Sequence, residues 1–268
     1  MTKTSTGRPL ALVTGASSGI GYELANQFAH HGYDLVIAAE DDGIIQAARE
    51  LQADGGRVQP IQADLSTAHG VERLYAAATG DGRPLDAVAI NAGVGVGGDF
   101  ARDADLDAQL RVVDLNVRST VHLAKRVSAD MANRGTGRIL ITSSIAATAP
   151  GPFEAVYAAS KAFGLSFAEA LRNELKDSGV TVTALMPGPT DTNFFERAGI
   201  QDTKLGQAKK DDPAQVAKEG FEALMAGKDK VVAGSGKNAM QAAAAHVLPD
   251  TAKAEMHRKQ SEPGSGGS

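Results

Sequence analysis

The chain has 268 residues, 43% hydrophobic and 22% charged, with 27 Lys and Arg against 32 Asp and Glu for a formal charge of −5. It has no Cys, which excludes disulfide frameworks, thiolate-bound metals and thiol nucleophiles, and it lacks the basic footprint of a nucleic-acid binder. No apolar run approaches the ~18 residues of a spanning helix, and the polar opening from Met1 to Gly7 has no signal-peptide core. The expectation is a soluble, cytoplasmic protein whose residues 1–260 form one domain.

In chain order, a strand-length apolar run at Leu10–Val13 leads into a glycine-rich turn and a helical pattern from Ile20 to His31, where His30 and His31 before Gly32 suit a helix end. Strands are predicted at Asp34–Ala39, Val58–Ala63, Asp86–Ile90, Arg138–Thr142, Val180–Met186 and Lys230–Ala233. Helices are predicted at Gly43–Ala53, Asp107–Asn133 and Glu154–Ser178. The strands are continuous Val/Ile/Leu runs, as strands covered on both faces require. Their alternation with helices predicts right-handed crossovers and a parallel sheet. Gly95, Gly97 and Gly98 read as a mobile loop. The irregular stretch 188–213 reads as a lid over a site, led by Phe194 and Phe195. Ala242–Ala245 with Val247 and Leu248 is expected to pack on the domain or a neighbouring subunit, and the Gly/Ser-rich end, 261–268, reads as a flexible tail.

Three groups of residues carry chemistry. Gly15, Gly19 and Gly21 follow the first strand, with Ser17, Ser18 and Ile20 between them. Such a turn lets backbone N–H groups and a helix N-terminus face a pyrophosphate. Glu40, after the second strand, stands about 20 residues further on, where a carboxylate accepts from a ribose 2′-hydroxyl. Finally, Ser144 ends a predicted strand, and Tyr157 and Lys161 lie one helical turn apart. The six His form no ligand set, so no metal is expected.

With these residues in place, the chain resembles the short-chain dehydrogenase/reductase family, of the single-domain type. The resemblance runs over about residues 8–193 and rests on the Thr14–Gly21 turn, Ala63-Asp64-Leu65, Asn91-Ala92-Gly93, Asn116, Ser144, Tyr157 with Lys161, and Pro187-Gly188. It implies a Rossmann-type doubly wound parallel sheet of about seven strands with helices on both faces. It also implies a cofactor held by the glycine turn, by Asp64 and Leu65 at the adenine, by Asn91, Ala92 and Gly93 in the cleft, and by Pro187, Gly188, Thr190 and Thr192 toward the nicotinamide. Asn116, Ser144, Tyr157 and Lys161 match the family's catalytic tetrad, and the two long helices match those that build its dimers and tetramers. The chain departs from the family pattern at Ile90, where an Asn is usual, and at Ala39, where NAD-preferring members often carry Asp.

The implied activity is hydride transfer between a nicotinamide cofactor and a secondary alcohol or ketone, in which the protein supplies position and a proton. Tyr157 is then the general acid/base. A tyrosine titrates near pH 10, and an ammonium about 4 Å away would lower that by up to about three units. Lys161 is expected to do so, while Ser144 holds the substrate oxygen and Asn116 anchors a relaying water. Glu40, with no nearby Lys or Arg for a 2′-phosphate, makes NAD the expected cofactor and NADP the alternative. Ala146, Phe153 and Phe194 are expected at the substrate, and with Ala147, Pro150 and Val156 they suggest an apolar or aromatic carbonyl compound. The competing reading is a non-catalytic nucleotide-binding sensor, which would have no use for both Tyr157 and Lys161. A related epimerase or dehydratase would usually have different glycine spacing and a larger substrate domain.

Overall fold

The computed structural model describes residues 7–52, 55–245 and 248–267. Most of the polar opening, the expected helix end at Ala53, and His246, Val247 and Ser268 therefore lie outside the described residues. The order of elements is β1 (Leu10–Thr14), α1 (Gly19–His30), β2 (Asp34–Ala39), α2 (Gly43–Leu51), β3 (Val58–Gln62), α3 (Ala68–Thr79), β4 (Ala87–Ile90) and α4 (Leu106–Val113). A π turn (Asp114–Arg118) leads into α5 (Ser119–Arg134), then β5 (Gly137–Thr142), a 3-10 turn (Ile145–Thr148), α6 (Ala155–Glu174) and β6 (Val180–Pro187). The chain continues through α7 (Phe194–Arg197), α8 (Lys204–Gln207), α9 (Pro213–Met225), β7 (Lys230–Ala233), α10 (Gly236–Ala244), α11 (Asp250–Ser261) and a 3-10 turn (Ser265–Gly267).

The seven strands form one parallel sheet in the order β3-β2-β1-β4-β5-β6-β7. Strand alternation separates its two hydrophobic layers. Ala11 and Val13 pack with Phe28, Leu24 and Phe221 on one face, whereas Leu10 and Leu12 pack with Leu74, Leu123 and Met131 on the other. Pro60 has no N–H for a ladder and stands in β3, an edge strand, where its absence is tolerated. The order reverses between β1 and β4, and a crevice opens beyond the carboxyl ends of the strands there. Among the described residues no helix is long and apolar enough to cross a membrane.

Three expectations need correction. The helix read as continuous from Asp107 to Asn133 contains the π turn Asp114–Arg118, an irregularity frequent at functional sites, and Asn116 sits in it. The glycines 95–98 are stitched to their surroundings: Gly97 N–H donates to Ala198 O (2.9 Å) and Gly98 N–H to Phe153 O (2.9 Å). The tail read as a free linker is docked in its described part. Ser261 ends α11 and is buried, and Gly264 and Gly266 donate their N–H groups to Asp202 (2.8 Å each). A linker composition says only that the side chains cannot form a core. Here the backbone makes the contacts, helped by Gly264 at φ +73°.

Candidate active site

The first turn is built around glycine because nothing larger fits. A Cβ on Gly21 would stand 2.0 Å from Gly15 O, and one on Gly19 would stand 2.9 Å from Thr192 Cγ2. Gly15 and Gly19 also adopt φ of +66° and +57°, which favours glycine. Thr14 anchors the adjoining strand: its hydroxyl accepts from the N–H groups of Asn91 (2.9 Å) and Ala92 (3.0 Å), and Asn91 Nδ2 donates to Thr14 O (3.1 Å). At the departure from the family pattern, Ile90 is buried in the layer of Leu10 and Leu12, an apolar contact in place of a polar one. Ser17 donates to Asp41 (2.8 Å), which ties the glycine turn to the end of β2.

At that end Glu40 pairs with Arg111 of α4, which also approaches Asp64 Oδ2 (3.7 Å). Partial burial pushes the Asp64 carboxyl up, but the Ser66 hydroxyl and amide and the Arg111 guanidinium outweigh it and hold it below the usual range. Arg111 was invisible in the sequence, because a helical arginine 71 residues from Glu40 carries no spacing signal. The carboxylate of Glu40 is therefore matched by a cation, which the sequence reading did not place there.

Asn116, Ser144, Tyr157 and Lys161 converge beyond β4 and β5. The π turn brings Asn116 against Val94, donating to its O (2.8 Å) and accepting from its N–H (2.9 Å), while Asn116 Nδ2 also donates to Ser160 Oγ (2.9 Å). Ser160 in turn donates to Tyr157 O (2.7 Å), so the π turn and the start of α6 are tied together. Lys161 Nζ donates to Thr142 O (3.1 Å) and lies 5.7 Å from the centre of the Tyr157 ring. A Cβ on Gly93 would be 3.2 Å from both Lys161 Nζ and Asn116 Oδ1, so that glycine leaves room for both groups.

The titration behaviour departs from expectation. Burial, reinforced by the charge of Glu154, pushes the Tyr157 phenol up from its ordinary value, and the hydrogen bond with Ser144 opposes them without prevailing. Burial pushes Lys161 down to about 8. In the protein alone, desolvation thus exceeds the expected Lys161 effect, because excluding water penalises the phenolate more than an ammonium beyond contact distance favours it.

Of the residues expected at the site, all but Asn116, Phe153, Ala147, Pro150 and Val156 line one cavity of about 610 Å³ that runs from the glycine turn to Tyr157. Asn116 stands just behind its wall. Phe153 is turned away from it: its backbone has φ +63° and its ring lies 4.9 Å beneath the Arg258 guanidinium. Phe194 does line the cavity, 5.1 Å from the Tyr157 ring between centres. The stretch 188–213 carries its own small core of Phe195, Ala198 and Ile200, and its ends are pinned together where Thr190 meets Asp211. Glu154, His257 and Gln260 also line the cavity and were not among the expected residues. Among the described residues no cluster of His, Cys, Asp or Glu suits a metal ion.

A sequence model of the short chain dehydrogenase family matches residues 9–202. The probable oxidoreductase EphD of Mycobacterium tuberculosis is 34% identical over 227 residues, covering 84% of this chain and 38% of that protein, so the chain spans well under half of that relative's length. A short-chain dehydrogenase from Sphingobium yanoikuyae, solved in complex with NADPH, is 30% identical with a TM-score of 0.78 over 84% of this chain and 87% of its own. A 3-ketoacyl-(acyl-carrier-protein) reductase from Brucella melitensis, complexed with NADH, is 25% identical with a TM-score of 0.76 over 87% of this chain and all of its own. The chain belongs to the short chain dehydrogenase family of oxidoreductases.

Proposed function

We propose that the protein interconverts a secondary alcohol and a ketone with a nicotinamide dinucleotide, Tyr157 being the group that exchanges the proton. The observation that carries this is the placement of Tyr157 together with Ser144 and Lys161 in the cavity that begins at the glycine turn, with Lys161 Nζ 5.7 Å from the Tyr157 ring centre. The residues fit a dinucleotide, since Gly15, Gly19 and Gly21 leave a cradle that a Cβ would fill. Gly15, Ser17, Ser18, Gly19, Ile20 and Gly21 would hold the pyrophosphate, Asp64 and Leu65 the adenine, and Thr190 and Thr192 the nicotinamide end. Bound there, the nicotinamide would supply or accept the hydride.

The protein's part is proton chemistry. Ser144 orients the substrate oxygen toward the Tyr157 hydroxyl. With its titration pushed up, Tyr157 holds its proton at neutral pH and gives it to a carbonyl oxygen during reduction. In oxidation it takes the alcohol proton, and the Lys161 ammonium favours the phenolate that this requires. Asn116 fixes Val94 and Ser160 around them. Glu40 supports NAD over NADP, because its carboxylate opposes a 2′-phosphate, while its pairing with Arg111 makes that preference modest. The apolar side chains of Ala146 and Phe194 support an apolar ketone. An exposed apolar row, Leu106, Leu110, Val113 and Val121, supports assembly into homodimers or homotetramers.

The test is a panel of secondary alcohols and ketones with NAD(H) and NADP(H), read at the nicotinamide absorbance. Turnover that disappears in Tyr157→Phe while cofactor binding persists supports the reading. Cofactor binding without turnover on any substrate would favour a nucleotide sensor.

A further inference from the structure

A buried carboxyl group at the cavity makes side-chain contacts that the mechanism above does not use. Glu154 is 3% exposed, precedes Tyr157 by one helical turn and lines the cavity. Its Oε2 accepts from Ser261 Oγ (3.0 Å) and lies 3.2 Å from His257 Nε2, and these last two atoms are 3.0 Å apart. The proton count is consistent if Ser261 donates to Glu154 and His257 Nε2–H is shared between the serine oxygen and the carboxylate. A charge is kept out of water only where it is paired and hydrogen-bonded, and here both partners come from α11, more than 100 residues away.

The helix that supplies them is not held by a hydrophobic core. Ser261 is its one buried residue, so α11 has no apolar face pressed into a core. It is seated instead by polar contacts on two sides of the cavity. On the α6 side these are the Glu154 cluster, Lys253 Nζ donating to Thr148 O (3.3 Å) and Arg258 over Phe153. On the other side, just beyond the helix, Gly264 and Gly266 donate to Asp202, and Ser265 Oγ accepts from Lys204 N–H (3.0 Å). The segment from Asp250 to Gly267 is therefore a strap across the substrate end, and His257 and Gln260 on it face the cavity.

We propose that Glu154 is a positioning residue that docks this C-terminal strap through His257 and Ser261, making α11 the outer wall of the substrate pocket and setting substrate affinity. The substrate class follows as a refinement of the alcohol/ketone reading, on which this part rests. Phe194, Phe195 and Ala146 give the lining an apolar part, with the Phe194 ring against that of Tyr157, and His257 and Gln260 add polar groups from α11. The fitting substrate is bulky, with its apolar part at the reacting carbon and a polar substituent reaching α11. Short secondary alcohols would not feel the strap.

The test cuts the cluster from each side, with Glu154→Ala, Glu154→Gln, Ser261→Ala and His257→Gln. Hydrogen–deuterium exchange of peptides covering 250–261 reads the docking directly, without substrate. Exchange there should rise about tenfold in Glu154→Ala and return close to wild type in Glu154→Gln, which keeps an acceptor oxygen for Ser261. With bulky substrates bearing a polar substituent, KM should rise about tenfold in Glu154→Ala and Ser261→Ala, with kcat within about threefold in Ser261→Ala, which keeps the Glu154 carboxylate beside Tyr157. KM for short alcohols should not move. Unchanged exchange in Glu154→Ala overturns the proposal, as does a loss of kcat at constant KM in Ser261→Ala. If Glu154→Ala does not fold, the Ser261→Ala and His257→Gln exchange data decide by the same criterion. If the wild type turns over no alcohol or ketone, the activity reading fails, while exchange still scores the docking.

Discussion

The two halves of the cavity are built by different means. The half proposed for the cofactor rests on backbone: Gly15, Gly19, Gly21 and Gly93 clear space, and Thr14 and Asn91 lock neighbouring strand ends together over short distances. The half proposed for the substrate rests on side chains brought together from afar. Glu154 meets His257 and Ser261, Phe194 meets Tyr157, and the strap meets Asp202 and Lys204. A backbone cradle tolerates almost no added atom, while a side-chain wall can be altered piece by piece. The first therefore suits a ligand that does not change, and the second suits one that can.

If that contrast is right, the sharpest effects come where the two halves meet. Tyr157→Phe removes the transferable proton and leaves both the cradle and the ring contact with Phe194. Turnover should fall about 10²- to 10⁴-fold, with cofactor affinity within about threefold by fluorescence titration. A parallel loss of affinity would show that the halves are not separable.

The cradle should break at a single methyl group. Gly21→Ala places a Cβ 2.0 Å from Gly15 O and 2.6 Å from Gly15 C, backbone atoms that cannot swing aside. Dinucleotide affinity should fall at least about a hundredfold, the equivalent of ~2.7 kcal/mol. Thermal denaturation would report whether the fold survives. A folded Gly21→Ala protein with ordinary affinity would mean that this glycine is not needed for the cradle.

Legibility in the sequence follows the same division. The parallel sheet and the glycine turn were readable because strand burial and close backbone approach leave local marks, namely unbroken apolar runs and glycines at fixed spacing. Tyr157 and Lys161 were readable for a similar reason, standing one turn apart on one helix. Asn116 could be named, but the π turn that places it could not, since its residues have an ordinary helical pattern. Glu154, His257 and Ser261 left no mark. A glutamate before a helix reads as a cap, a lone histidine as incidental, and a serine beside Gly and Pro as linker. Contacts across 103 and 107 positions have no period to detect. Phe153 was misplaced because an aromatic near a site suggests contact, whereas its left-handed backbone turns it toward Arg258.

The meeting of Tyr157 with Lys161 offers a spectroscopic prediction. All four tyrosines have their titration raised: burial dominates at Tyr22, Tyr33 and Tyr157, and the hydrogen bond to Asp130 dominates at Tyr75. Each phenol therefore keeps its proton through the ordinary tyrosine midpoint near pH ~10. The ligand-free protein should show no phenolate absorbance between pH 7 and about 9.5. An early phenolate that disappears in Tyr157→Phe would mean that Lys161 outweighs burial after all. Glu154→Gln removes the charge that adds to burial in raising Tyr157, so its Tyr157 should titrate lower than in the parent.

The smallest effect belongs at the rim of the cradle, where cofactor recognition itself passes from backbone to side chain. Glu40 and Arg111 are 46% and 41% exposed at their side chains, and pairs so placed contribute up to about 1 kcal/mol. Arg111→Ala leaves the Glu40 carboxylate without this cation and strengthens the negative field that a 2′-phosphate meets. NADP(H) affinity should fall by up to about fivefold, with NAD(H) within about twofold. Glu40→Arg acts in the opposite sense, adding a second guanidinium beside Arg111, and should narrow or reverse the proposed preference for NAD(H). Both shifts should shrink as salt rises, since exposed charges are screened within roughly 10 Å at 0.1 M ionic strength. Equal affinities of the parent for the two cofactors would remove the preference. A salt-independent shift would place the effect in the shape of the cradle and not in these charges.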